Sequence, residues 1–168
     1  MTTRRQIVRT IFLAVSAFLL FASFADAQKN APDATEQTMQ ILLSGNGSQL
    51  IQKPIVLSRV TVQGKSSGKN THAKDLGQAY VPAFWVGPNS NRRVLVVIPN
   101  GLVPVNMNND TASVNPGDTV NITGTVRKAP DPTQLEAVYH LSKQDISVVQ
   151  REGVIVKASA IDVHGPRH

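Results

Sequence analysis

The chain has 168 residues, with 17 basic and 11 acidic side chains and a net charge of +6. This length fits one domain, and the lack of any cysteine excludes disulfides, thiol chemistry, iron–sulfur sites and a lipid-anchored cysteine. Aromatic residues make up only 5% of the chain, which leaves little ring surface for stacking against a ligand.

The first 27 residues have the three parts of a cleavable secretory signal. Residues 1–9 carry three arginines and no acid, residues 11–24 are an apolar run, and Ala25-Asp26-Ala27 is a small-residue exit. The alternative is a membrane anchor, but the run is shorter than the roughly 20 apolar residues of a stable span. We therefore expect cleavage near Ala27 and a soluble mature protein that is periplasmic or secreted. Arg4-Arg5 also resembles a twin-arginine signal, so both export routes stay open.

The signal holds three of the 17 basic residues and one of the 11 acidic residues, so the mature chain carries a net charge of +4. A mild positive charge suits an anionic surface or polymer. Residues 28–52 are a polar lead-in, expected to be a tether or a short helix. Asp33 and Glu36 have the spacing of a helix capping box there.

Strand patterns begin near residue 53. Residues 55–62 are β-branched, and period-two alternation places Val56, Val60 and Val62 on one face. Residues 79–87 and 92–98 are apolar runs around a short polar turn, which predicts a hairpin.

Phe84 and Trp85 are neighbours within the first strand of that hairpin, so they point to opposite faces. One ring is expected inside a barrel, and the other is expected outside it or under helices. Pro82 cannot donate to a ladder, so it marks an edge or a bulge.

Residues 99–118 are loop-like, because they are rich in proline and asparagine. The strand that follows, 119–126, alternates cleanly, with Val120, Ile122 and Val126 pointing inward and threonines pointing outward. Gly124 falls in the inward phase and predicts a bend or bulge where the sheet curls.

The apolar period then changes to that of helices. Asp131 before Pro132 predicts one helix start, Ser142 predicts a second, and Gly153 is a stop. The pattern also passes for a helix-turn-helix, but we interpret the helices as packing elements that cover a barrel end. A last strand is predicted over 154–163.

Five predicted strands with one helical insert suggest a small OB-type barrel. The strands resemble those of exported bacterial OB-fold proteins over residues 53–163, in these segments: Lys53-Pro-Ile-Val-Leu57, Phe84-Trp-Val-Gly87, Val94-Leu-Val-Val97, Gly117-Asp-Thr-Val-Asn-Ile-Thr-Gly-Thr-Val-Arg127 and Gly153-Val-Ile-Val-Lys-Ala158. The resemblance implies a mainly β, five-stranded OB-like barrel and a location outside the cytoplasm, but it implies no enzymatic reaction.

One departure is the helical insert, which is predicted between strands four and five, whereas OB-folds commonly place a helix between strands three and four. The expected organisation is a signal at 1–27, a lead-in at 28–52, the barrel at 53–164 and a tail at 165–168.

Two basic loops are the candidate ligand-binding segments. In OB-folds the loops joining strands one to two and four to five flank the ligand face. Their cations would neutralise anions without reading sequence, although the alternative is a solvated loop whose lysines only add solubility. The candidate residues are Lys65, Lys69, Lys74, Arg127 and Lys128.

No catalytic motif is visible. His164 and His168 sit in a Gly-Pro tail without a rigid frame for a metal, and no serine elbow or phosphate loop occurs. We therefore predict no metal, no cofactor and no enzymatic activity. The expected function is an exported binding module, with an anionic ligand or polymer as its partner. Two alternatives stay open: a structural partner of another envelope protein through the 132–151 helices, and a nuclease-like enzyme whose site forms only in three dimensions.

Overall fold

The protein is described from a computed structural model that covers residues 33–65 and 81–166. Its helices are α1 (Ala34–Leu42), α2 (Pro132–Tyr139) and α3 (Lys143–Glu152), with a 3-10 turn at Gly47–Leu50. Its strands are β1 (Pro54–Lys65), β2 (Ala83–Asn89), β3 (Arg92–Val97), β4 (Val105–Asn106), β5 (Asp118–Lys128) and β6 (Val154–Pro166). In this part of the chain, no helix combines the length and the apolar character needed to cross a membrane.

Five long strands form a closed mixed barrel. The order is β3-β2-β1-β5-β6, and a parallel pairing of β3 with β6, through Val96 and Val156, closes the ring. The remaining neighbours are antiparallel. The mainly β, OB-like barrel and the helical insert between the fourth and fifth long strands are therefore confirmed. The short β4 lies in the predicted loop and pairs in parallel with the later part of β6, at Asp162 and Val163.

The inward positions of the strand β5 follow the predicted phase, and of the threonines predicted to point outward Thr119 is also buried. Val120, Ile122 and Val126 are fully buried, whereas Thr123 is exposed. Its pairing with β6 shifts register between Thr123 and Gly124. A side chain at Gly124 would place its Cβ 2.7 Å from the carbonyl oxygen of Lys157, so the bulge needs glycine.

The strand β1 departs from its predicted phase. Val56 is 58% exposed and Leu57 is fully buried, so Val56 does not share the inward face of Val60 and Val62. The cause is a bulge between Leu57 and Val60, where Arg59 has a φ of 55°. One extra residue reverses the alternation, so inward residues change from odd-numbered to even-numbered positions across the bulge.

The lead-in forms part of the barrel core. Of the two forms expected for residues 28–52, the described portion from residue 33 contains a short helix. Met39, Leu42 and Leu43 are buried in the same apolar cluster as the barrel interior. The hydroxyl of Thr35 accepts the backbone N–H of Ser58 at 3.0 Å, which satisfies a donor of β1 beside the bulge.

The helices α2 and α3 begin at the predicted caps. The Asp131 carboxylate accepts the N–H of Gln134 at 2.9 Å, and the Ser142 hydroxyl accepts the N–H of Asp145 at 3.1 Å. Gly153 ends α3 in the left-handed region. The sequence predicts that these helices cover a barrel end. In the structure they instead cover the outer face of β2 and β3.

A second apolar cluster explains this position. Phe84 points into the barrel, while Trp85 and Leu95 point out of it and are buried against Leu135 and Val149. One ring lies inside the barrel and the other under helices, as predicted for Phe84 and Trp85, so both faces of the hairpin are apolar and must be buried. The helices cover the outer face.

Candidate functional site

The face that binds ligands in OB-folds is closed in this protein. In that fold the face of strands two and three carries the ligand, which corresponds here to β2 and β3. Trp85 and Leu95 of this face are only 1% exposed because α2 and α3 lie on them. The outer face of β2 and β3 is therefore occupied by the protein's own helices.

The predicted site residues lie in different places. Lys65 is the last residue of β1, and its ammonium donates to Asn115 Oδ1 at 3.1 Å. Arg127 and Lys128 are the last residues of β5 and are exposed. Because the two strands are antiparallel, the end of β5 lies beside the start of β1. Lys65 therefore lies at the opposite end of β1 from Arg127 and Lys128.

Lys69 and Lys74 lie outside the described residues. Ligand binding by any of the five residues remains a prediction.

Two further cations join Arg127 and Lys128. The N–H of Val126 donates to the carbonyl oxygen of Lys53 at 3.2 Å, and Thr125 of β5 pairs directly with Lys157 of β6. We call these four exposed residues, at one end of the β1–β5–β6 sheet, the basic rim: Lys53, Arg127, Lys128 and Lys157.

The sequence alone does not single out Lys53, which precedes β1, or Lys157, which lies within β6, because neither stands in a cluster of basic residues. The signal that could have found them is strand pairing. Placing Lys53 and Lys157 on the two neighbours of β5 brings both toward the strand end that carries Arg127.

The cations of the basic rim have no anionic partner among the residues that the structure describes. The ion pairs there join Arg93 to Asp145 and Arg151 to Glu152. Asp131 is the acid that follows the rim most closely in the chain, and its carboxylate accepts the N–H of Gln134 at the start of α2. The rim is thus a patch of positive charge open to water.

A polar hollow lies elsewhere, at the start of β5. Asn106, Asn115, Asp118 and His164 contribute to its wall. Asp118 is 7% exposed, and its carboxylate accepts the N–H of Asn115 at 2.7 Å. This hydrogen bond holds the turn before β5, so the carboxylate has a structural partner.

Metal-ligating groups are dispersed in the described part of the chain. Across residues 33–65 and 81–166, no three His, Asp or Glu side chains are grouped closely enough to hold a metal ion. Burial raises the pKa of the Tyr139 phenol, but this ring packs against the second apolar cluster.

Comparison with known proteins leaves the chain without a family. No protein-family model matches it, and no curated protein matches it. Among solved structures it is similar to an aspartyl-tRNA synthetase from Entamoeba histolytica, with 12% identity and a TM-score of 0.39. That match covers 77% of this chain and 21% of the other.

A second solved structure, from Leishmania major Friedlin, is also assigned as an aspartyl-tRNA synthetase. It shares 13% identity over 76% of this chain and 20% of its own, with a TM-score of 0.42. The chain therefore spans about a fifth of each of these proteins. A likeness at this identity concerns the barrel alone and assigns no activity, substrate or partner.

Proposed function

We propose that this protein is an exported, non-enzymatic module that binds an anionic polymer on the surface of its barrel. The observation that supports the proposal is the basic rim, a group of exposed cations on or beside neighbouring strands with no ion pair among the described residues. Cations grouped in this way attract polyanions and neutralise their charges independently of sequence.

The proposal of export depends on residues 1–27, with cleavage near Ala27. It places the mature protein in the periplasm or outside the cell. N-terminal sequencing of the exported protein is expected to start at Gln28. A protein recovered from that compartment with Met1 intact would contradict cleavage.

The alternative of a partner protein docking on the 132–151 helices has no specific support. Leu135, Val148 and Val149 are buried against the barrel, so the apolar sides of the helices are already covered. The exposed residues of α3 include Lys143, Gln144 and Gln150, which form an ordinary solvated face.

Polymer binding can be measured directly with the purified protein. Fluorescently labelled single-stranded DNA, polyphosphate and polyglutamate are titrated at low salt, with neutral dextran as the control polymer. We expect at least one polyanion to bind and dextran not to bind. Affinity for the bound polyanion is expected to fall steeply as salt is added, because neutralised charges release counterions. Absence of binding to every polyanion at low salt would refute the proposal.

A further inference from the structure

Three of the four cations of the basic rim lie on strands, and Lys53 immediately precedes β1. Arg127 pairs with Ile155, and Thr125 pairs with Lys157, so Arg127 and Lys157 are diagonal neighbours on one sheet face. Diagonal neighbours in an antiparallel pair lie about 7–8 Å apart. Their Cα positions are fixed by the ladder, so binding orders only the side chains.

Hydroxyl groups continue the same sheet face. Thr123 and Thr125 share the outward phase of Arg127 on β5. The Ser159 hydroxyl, on the neighbouring strand, already donates to the carbonyl oxygen of Thr123 at 3.2 Å. Threonine hydroxyls beside cations are typical donors to phosphate oxygens. A single phosphate within a polymer has non-bridging oxygens that can accept from a hydroxyl and a cation at once.

Aromatic rings of the described residues are all turned away from this face. Phe84 and Trp85 are buried in the two apolar clusters, and Tyr139 packs against the second one. Stacking, worth about 1–3 kcal/mol per base, is therefore not available from these rings. A ligand on this face is held through its backbone charges and not through its bases.

From these observations we infer that the outer face at the rim end of β1, β5 and β6 is the binding site of this barrel, displaced from the covered β2–β3 face. Its ligand is a phosphate polymer, bound through the phosphates without regard to sequence. Arg127 and Lys157 form the site on this outer face together with Thr123 and Thr125, and Lys53 and Lys128, which have the inward phase, border it at the end of the barrel. This inference rests on the proposed function and adds to it the location and the chemical class.

The salt dependence gives a first quantitative test. Four cations that each neutralise one phosphate of a single strand predict a slope of about −3 in a plot of log K against log salt. Oligothymidylate and oligoadenylate are expected to bind with equal affinity, since none of the aromatic rings in residues 33–65 and 81–166 faces this site. A tenfold preference for one of them would contradict backbone recognition.

The second test is a charge reversal with a matched control. Arg127→Glu with Lys157→Glu is expected to weaken oligothymidylate and polyphosphate binding at low salt by about 10-fold or more, and to reduce the magnitude of the salt slope by about 1.5. The control is Arg92→Glu with Lys143→Glu, which makes the same charge change at exposed residues outside the rim. Thermal melts of both variants check that the fold is kept.

The outcomes separate the two proposals. If the wild-type protein binds no polyanion, the proposed function fails and the inference fails with it. If the wild-type protein binds but both double variants bind with equal affinity, the protein is a polyanion binder and the rim is not its site. Binding of polyglutamate as tight as that of polyphosphate at matched charge would overturn the phosphate assignment alone.

Discussion

The guanidinium of Arg93 lies over the indole ring of Trp85, with 4.3 Å between the guanidinium carbon and the ring centroid. The same group donates to Asp145 of α3 at 2.6 Å. One side chain on β3 therefore holds both the ring beneath it and the helix that covers that ring. The side chains of Arg93 and Asp145 are 15% and 17% exposed, so water screens these contacts only partly.

Replacing this arginine should loosen the helical cover. We expect Arg93→Ala to lower the free energy of unfolding by about 2 kcal/mol, because it removes a shielded cation–π contact and an ion pair. Arg93→Lys should cost less, since lysine keeps the charge but not the planar fork. Urea unfolding measures both. A coupling energy near zero between Arg93→Ala and Asp145→Ala would contradict the paired arrangement.

The strand phase of β5 makes a sharper prediction. Ile122→Asp places an unpaired carboxylate in the barrel interior, where it costs several kcal/mol. This loss is comparable with the total stability of a domain, about 5–15 kcal/mol. Thr123→Asp changes an exposed neighbour and should leave the melting temperature almost unchanged. Equal melting of the two variants would show that the strand is placed wrongly.

The contrast between β5 and β1 shows what the sequence could predict. The alternation of β5 is unbroken from Thr119 to Thr123, so its inward face could be predicted from apolar spacing alone. The bulge in β1 occurs at Ser58 and Arg59, which are not the residues that usually mark one. A strict period-two pattern takes no account of the extra residue in a bulge, so it predicts Val56 on the same face as Val60, which is wrong.

The candidate site was only half predictable for a different reason. Arg127 and Lys128 are adjacent in sequence, so their grouping was visible at once. Lys53 and Lys157 reach them only through the pairing of β5 with its two neighbours. The cover on β2 and β3 was also hidden, because a continuous apolar strand signals burial on both faces without saying what buries them.

Truncation should show that α1 belongs to the barrel. Leu42 is fully buried with the barrel interior, so Leu42→Ala is expected to cost about 2–5 kcal/mol. Gln40→Ala, at an exposed position of the same helix, is the matched control and should cost little. A chain shortened to residues 53–168 lacks α1 and the 3-10 turn and should have a much lower melting temperature than the full chain. Unchanged melting of that shortened chain would assign the lead-in no structural role.

Alkaline pH offers a test of the second apolar cluster. Burial raises the pKa of Tyr139 above its ordinary value of about 10, so the folded state holds the phenol proton more tightly than the unfolded state. Stability is therefore full below about pH 10 and falls as the pH rises through the raised pKa. Tyr139→Phe should remove this part of the fall, measured as the difference between the two stability curves. Identical curves would place the phenol in water.

The parallel pairing of Val96 with Val156 has a consequence for folding rate. It joins residues 60 positions apart through only two paired positions, whereas the equally distant β1–β5 pairing gains six, so this seam gains the least contact for the loop that must be closed. Barrels with many non-local pairings fold in milliseconds to seconds, and we expect this seam to form after the folding transition state. Val96→Ala should then speed unfolding and leave the folding rate nearly constant in stopped-flow chevrons. The ring would thus close last and open first.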